Sequence, residues 1–194
     1  MINKKNIPNI ITVFRGIITL VIAGLFLSEL ENRFLIILIF FLVGSISDWA
    51  DGYLSRKWNV VSDFGKMFDP IFDKIFTLMF YFFLFSISGM PKIIFILLFF
   101  REIFIDGVKN RMLSKGIVTP AIKSAKLKMV SQTLMIFFAL LFLISPSVCW
   151  FQKLTYFFGI IAVVLAYWSG WKYVKKWQES VVIPAKAGIY VNDN

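Results

Sequence analysis

The hydrophobic positions of this chain fall into six long runs, near Ile10–Leu27, Phe34–Asp51, Ile71–Ile87, Lys92–Met112, Lys128–Ile144 and Leu154–Val174. Each approaches the roughly 20 residues that an α-helix needs to cross a hydrocarbon core of about 30 Å. Polar residues gather between the runs, and only two connections are long, Gly52–Pro70 and Leu113–Leu127. No segment repeats at a fixed period. The first run opens on a polar, amphipathic piece (Asn6, Pro8, Asn9, Thr12, Arg15) suited to the membrane interface. Lys4 and Lys5 before an apolar run resemble the start of a signal peptide, but the chain after Leu27 reads Ser-Glu-Leu-Glu, with no small-residue cleavage site. A retained first helix is therefore expected. The pattern predicts an all-α bundle of six transmembrane helices over residues 1–177, followed by a surface tail at 178–194 whose composition changes.

Composition supports a membrane reading over a soluble one. Of 194 residues, 59% are hydrophobic and 16% charged, against roughly a quarter charged in soluble domains. The 23 Phe leave too little polar surface to coat a water-soluble particle. One cysteine, Cys149, excludes an internal disulfide framework, and the absence of His excludes imidazole chemistry. Multi-ligand Cys/His zinc sites fall with them. What remains is chemistry run by carboxylates, Lys, Arg, hydroxyls and hard metal ions.

The net charge of +10 is distributed unevenly. With Arg15, Lys74, Arg101 and Lys109 inside the runs set aside and those at run ends assigned to the nearest side, fourteen Lys and Arg fall on the side of the two long connections and both termini, against only Arg33, Lys92 and Lys153 on the other. That asymmetry places both termini and both long connections in the cytoplasm. The basic face suits anionic lipid headgroups, and nucleic acid is not expected as a partner.

The acidic residues carry the candidate chemistry. Asp48 and Asp51 are spaced i, i+3 at the end of the second run; Asp69 and Asp73 are spaced i, i+4 at the start of the third. On helices, each pair shares a face, and the two helix ends then present four carboxylates at one depth. Unpaired, such a group is costly at a membrane boundary. Divalent metal with oxygen ligands, Mg²⁺ or Mn²⁺, is the economical way to hold it. The bland reading, interfacial aspartates pairing with Lys57, Lys66 and Lys74, suits a lone Asp better than two spaced pairs. Gly52 and Gly65 are either helix-end punctuation or points of close approach for a diphosphate or nucleotide.

The stretch Asp48-Trp-Ala-Asp51-Gly52-Tyr-Leu-Ser55-Arg56, eight residues, then Gly65-Lys-Met-Phe-Asp69-Pro-Ile-Phe-Asp73 resembles the signature of the CDP-alcohol phosphatidyltransferases, D-x2-D-G-x2-A-R-x8-G-x3-D-x3-D. Every spacing is kept, and the one departure is Ser55 in place of Ala. The resemblance implies a six-helix membrane enzyme with a cytoplasm-facing active-site cavity, usually a homodimer. It implies two metal ions held by Asp48, Asp51, Asp69 and Asp73, with Asp73 also the general base. Asp48, Asp51, Gly52, Arg56, Gly65 and Asp69 are the residues it implies for the CDP moiety. The implied substrate is CDP-diacylglycerol, whose phosphatidyl group passes to an alcohol as CMP leaves.

Further pieces resemble the branch of that family whose acceptor is glycerol 3-phosphate: Asn6-Ile-Pro-Asn9-Ile-Ile-Thr12-Val-Phe-Arg15, Asp63-Phe-Gly-Lys66, Arg101-Glu102-Ile and Lys126-x-Lys128-x3-Gln132. Lys109 and Met129 depart from it, where Arg and Thr are common. The resemblance implies Thr12, Arg15, Arg101, Lys109, Lys126 and Lys128 around the acceptor phosphate or lipid headgroup. Each has an alternative: Arg15 snorkels to the interface, Arg101 forms a structural ion pair with Glu102 or Asp106, and Lys126 and Lys128 are ordinary cytoplasmic charge. Glu102, Asp106 and Lys109 recur at i, i+4, i+7 and are expected to face inward. A branch using phosphatidylglycerol, giving cardiolipin, is the rival acceptor reading; a cation transporter lined by the carboxylates is the rival of another class. The expected location is a bacterial inner membrane.

Overall fold

A computed structural model of the chain describes residues 7–58, 63–87, 89–117 and 123–189, with side chains over 13–47, 71–87, 89–117 and 123–179. Among the described residues there are six helices and no strand: α1 (Ile7–Leu27), α2 (Arg33–Trp58), α3 (Asp63–Ser86), α4 (Lys92–Leu113), α5 (Lys123–Ile144) and α6 (Cys149–Ile189). Each hydrophobic run lies within or nearly coincides with one helix. The expected long connection Gly52–Pro70 is a correction: α2 continues through Trp58 and α3 begins at Asp63, so helix occupies most of it. Hydropathy fails here because Leu54, Arg56 and Lys57 are polar or mixed in pattern yet good helix formers. The second connection is shortened likewise, since α5 starts at Lys123. Helix α6, with 41 residues, is roughly 60 Å long at 1.5 Å per residue. It therefore carries most of the segment expected as a tail.

Two helices, α5 and residues Cys149–Glu179 of α6, are long and apolar enough to cross a bilayer; shorter apolar stretches occupy Val13–Leu27 and Arg33–Ser47. Large apolar side chains stand exposed along the helices, among them Leu20, Phe82, Phe100, Phe104, Trp168 and Trp171. Large apolar side chains exposed in such number mark contact with membrane or with other protein.

The chain forms two compact units, Met1–Met90 with Ile136–Gln152, and Pro91–Met135 with Lys153–Asn194. In the first, α1 packs on both α2 and α3. Its core is aromatic: Phe41 stacks on Phe76 at 6.0 Å and meets Phe80 edge-on at 5.1 Å, while Phe26 meets Phe80 edge-on at 5.8 Å. Offset and edge-on pairs add about 0.5–1.5 kcal/mol each beyond burial. Small residues admit these rings. A Cβ on Gly16 would stand 2.8 Å from Cε1 of Phe72, and one on Gly44 would stand 3.1 Å from Cζ of Phe76.

In the second unit, one face of α6 is fully buried at Thr155, Gly159, Ala162, Ala166, Ser169 and Tyr173. The steps are four, three, four, three and four residues, the seam spacing of closely packed helices. Its small side chains let α4 approach, as in membrane helix pairs generally. A Cβ on Gly159 would fall 2.9 Å from Ile94 Cδ1, and one on Gly170 3.2 Å from Ile105 Cδ1. Gly116 ends the α4 region with φ +74°. Its N–H donates to Leu113 O at 2.9 Å and that of Ile117 to Met112 O at 3.0 Å, the paired bonds of a glycine-closed helix.

Replacing Gly16 by Leu forces a bulky chain into the space of the Phe72 ring. Overpacking of this kind costs about 1–3 kcal/mol. The expected result is a lower thermal unfolding midpoint in detergent; Gly24→Leu, where nothing lies within 4 Å, should leave it unchanged.

Candidate active site

The charged residues named from sequence are distributed over both units, and each group is built locally. In the first unit, Arg15 sits on the second half-turn of the apolar part of α1, only 2% exposed. Its Nη1 donates to Oδ1 of Asp73, one turn into the apolar part of α3. The Asp73 side chain remains 43% accessible. A guanidinium this deep among apolar helices is costly unless an anion compensates it. Asp73 supplies that anion, and Thr19 caps the same turn by donating to Arg15 O at 2.8 Å. Buried rather than snorkelling outward, Arg15 holds the carboxylate implied as the base.

The other three carboxylates, Asp48, Asp51 and Asp69, and also Thr12, Gly52, Arg56 and Gly65, have side chains outside the described residues. Their backbone is helical: Asp48 and Asp51 lie on α2, and Asp69 with Asp73 on α3. The i, i+3 and i, i+4 spacings thus act on helices, as the face argument requires. Among the described residues no cluster of three or more Asp, Glu, Cys or His stands ready for a metal. Of the four expected ligands, Asp73 is the one described, and its accessible carboxylate is a hard oxygen donor suited to Mg²⁺ or Mn²⁺.

In the second unit the charges converge on Glu102. Its Oε1 accepts from Lys128 Nζ on α5 and, at 3.0 Å, from Gln132 Nε2 one turn further along. Its Oε2 accepts from Arg101 Nη1 at 3.2 Å. Arg101, itself buried, also donates from Nε to Ala166 O at 2.9 Å and from Nη2 to Ser169 Oγ at 2.8 Å on α6. Both Arg101 and Lys128 thus keep their charge inside the fold by pairing with one carboxylate. Lys109 stands over the buried Tyr173 ring, Nζ 4.6 Å from its centroid, a cation–π contact. Lys126 is exposed on α5. Asp106, one turn on from Glu102, is half-buried.

Sequence reasoning named Arg101, Lys109 and Lys128, and the ion pair of Arg101 with Glu102 that the structure shows, but not the groups of α6 that seat Arg101 and Lys109. Ser169, the Ala166 carbonyl and Tyr173 come from α6, more than sixty positions away. The signal was present in the spaced small residues of α6, which mark the face that receives α4.

The sequence pattern that defines CDP-alcohol phosphatidyltransferases matches residues 5–174, a range that includes Arg15, Asp73, Glu102, Lys128 and Ser169. The chain belongs to the CDP-alcohol phosphatidyltransferase family. Relatives within it carry the name CDP-diacylglycerol–glycerol-3-phosphate 3-phosphatidyltransferase. The protein of that name from Rickettsia typhi is 34% identical over 143 residues, covering 74% of this chain and 78% of the relative. That of Bacillus subtilis is 31% identical over 142 residues, 71% of each chain. That of Wigglesworthia glossinidia brevipalpis is 33% identical over 180 residues, 86% of this chain and 87% of the relative. For this phosphatidyltransferase, the match embraces all six helices rather than the aspartate signature alone.

The clamp between α4 and α6 is testable by itself. Ser169→Ala removes the acceptor of a buried hydrogen bond from a charged donor, worth about 1.5–3 kcal/mol. A correspondingly lower unfolding midpoint in detergent is expected, and Ser145→Ala, which lies off this face, should not reproduce it.

Proposed function

We propose that this protein transfers the phosphatidyl group of CDP-diacylglycerol to glycerol 3-phosphate, forming phosphatidylglycerophosphate and releasing CMP. The observation that carries this reading is the likeness, over about three quarters of both chains, to relatives named for that reaction. The unbroken aspartate spacing from Asp48 to Asp73 agrees with it.

In this reading the acceptor hydroxyl forms a bond to the phosphorus that carries diacylglycerol, the bond from that phosphorus to CMP breaks, and the hydroxyl proton passes to Asp73. Arg15 fixes the Asp73 carboxylate from the buried side and leaves its accessible side toward substrate. General bases so placed contribute about 10²–10⁴-fold. Asp48, Asp51, Asp69 and Asp73 would hold two divalent ions, which when bound neutralise the diphosphate and ease departure of CMP. Gly52, Arg56 and Gly65 take the CDP moiety, and Thr12, Lys109, Lys126 and Lys128 the acceptor phosphate or headgroup. Arg101, tied to Ala166 and Ser169, supports that group from behind.

The same reading extends to architecture: six spans in a bacterial inner membrane, both termini and the catalytic cavity cytoplasmic, the remainder beyond residue 177 at the surface, and a homodimer. It is supported by the six hydrophobic runs of the sequence, by two helices long and apolar enough to cross a bilayer, and by the excess of Lys and Arg on one side.

The test is CMP release from CDP-diacylglycerol by purified protein with Mg²⁺ or Mn²⁺, offering glycerol 3-phosphate, phosphatidylglycerol, inositol 1-phosphate or serine in separate reactions. Release is expected with glycerol 3-phosphate and to be lost in Asp73→Asn; release with phosphatidylglycerol instead would make the protein a cardiolipin-forming enzyme. Failure with every acceptor would overturn the reading. Arg15→Ala should lower kcat by about 10²-fold with little change in KM for glycerol 3-phosphate. A raised KM at constant kcat would instead put Arg15 on the acceptor phosphate.

A further inference from the structure

Among the described residues, Glu102 joins Arg101, Lys128 and Gln132, and it uses both oxygens to do so. A bridge needed only to fasten α4 to α5 would be met by a neutral pair, without the desolvation cost of three buried charges. Arg101 and Lys128 present two cations to this one anion. The surplus is positive, in a place where the side chains of Arg101, Glu102 and Lys128 are each nearly closed to solvent. Such a surplus is favourable to an arriving anion.

The two cations differ in what they have left to give. Arg101 is locked by the Ala166 carbonyl and the Ser169 hydroxyl, and releasing it would open the α4–α6 seam. Lys128 has three N–H donors, and among the described residues Glu102 is its acceptor. Among the described residues, its remaining donors have no second acceptor that would have to be given up for a ligand. Gln132, four residues along α5, donates to the same oxygen of Glu102 and keeps that carboxylate turned toward α5. Glu102 thus fixes where the ammonium of Lys128 stands.

We propose that Glu102 is a positioning residue for acceptor recognition, aiming Lys128 at the phosphate monoester of the acceptor alcohol. This rests on the glycerol 3-phosphate reading above. Two effects oppose one another when Glu102 loses its charge. Removal of an anion strengthens attraction for phosphate, while Lys128, no longer held and repelled by Arg101, swings its flexible stem away toward water. If Glu102 merely competed with phosphate, the first effect would win and binding would tighten. Aiming requires the second, and binding weakens.

Steady-state kinetics on the full-length protein in detergent with lipid separate these signs. Glu102→Gln should raise KM for glycerol 3-phosphate about tenfold or more, as expected when one partner of a buried charged pair is removed. Saturated kcat should stay within about threefold and KM for CDP-diacylglycerol within about twofold, both well below the several-kcal/mol cost of a lost charged pair. Because Glu102 acts through Lys128, Glu102→Gln in a Lys128→Met background should add nothing to Lys128→Met alone. Glu102→Asp keeps the charge but withdraws it by one methylene, and should raise the same KM by a smaller factor, which keeps the proposal testable if Glu102→Gln does not fold. A KM for glycerol 3-phosphate that falls or is unchanged in these variants overturns the proposal, as does additivity with Lys128→Met or parallel loss for both substrates. Wild-type protein that releases no CMP with glycerol 3-phosphate overturns the functional reading itself, and is told apart because it needs no variant.

Discussion

Ionised side chains buried among apolar helices are the constraint around which this protein is arranged. In hydrocarbon-like surroundings a lone charge is intolerable, so each must be matched by a counter-ion or by convergent dipoles. Arg15 is matched by Asp73 across α1 and α3, and Arg101 and Lys128 by Glu102 across α4 and α5. Each match fixes the register of its helices, because the partners meet only at one rotation and one height. The packing around them follows: a glycine opposite Phe72 one position after Arg15, and a face of small residues on α6 that lets the Arg101 guanidinium reach the Ala166 carbonyl.

The same pairings link stability to chemistry. A carboxylate held by a buried guanidinium yet accessible on its other side is poised to take part in a reaction without being free to wander. An ammonium held by a carboxylate is fixed in place within the fold. Preorganisation of this kind, in which the fold bears the cost of placing charge before substrate arrives, is the usual source of electrostatic catalysis. On the proposed reading, a chain without histidine suffices for this transfer because positioning and charge neutralisation by Asp, Arg and Lys would carry it.

The helices were legible because each apolar run is long and bounded by polar residues, even where, as in α1 and α2, the strictly apolar stretch is short of a full span. Their ends were not, since Ser55, Arg56, Lys57 and Asp63 are polar in a scale that measures solvation and says nothing of helix propensity. The aspartate signature was legible because its members lie within 26 consecutive positions, 48 to 73, on two helices. Partners across the fold were hidden, because helical spacing rules reach only one or two turns. Arg15 and Asp73 are 58 positions apart, and Arg101 and Ser169 are 68. The alternation of Thr155, Gly159, Ala162, Ala166, Ser169 and Tyr173 was open to inspection, but the mean hydropathy of α6 conceals it.

The account stands most directly on the fate of the acceptor's oxygen. Purified protein supplied with CDP-diacylglycerol and glycerol 3-phosphate bearing ¹⁸O in its reacting hydroxyl should yield phosphatidylglycerophosphate that keeps the label in the new phosphodiester, with unlabelled CMP, as resolved by mass spectrometry. Absence of a labelled lipid product while CMP is released, or label appearing in CMP, would contradict displacement at the phosphatidyl phosphorus by the acceptor hydroxyl.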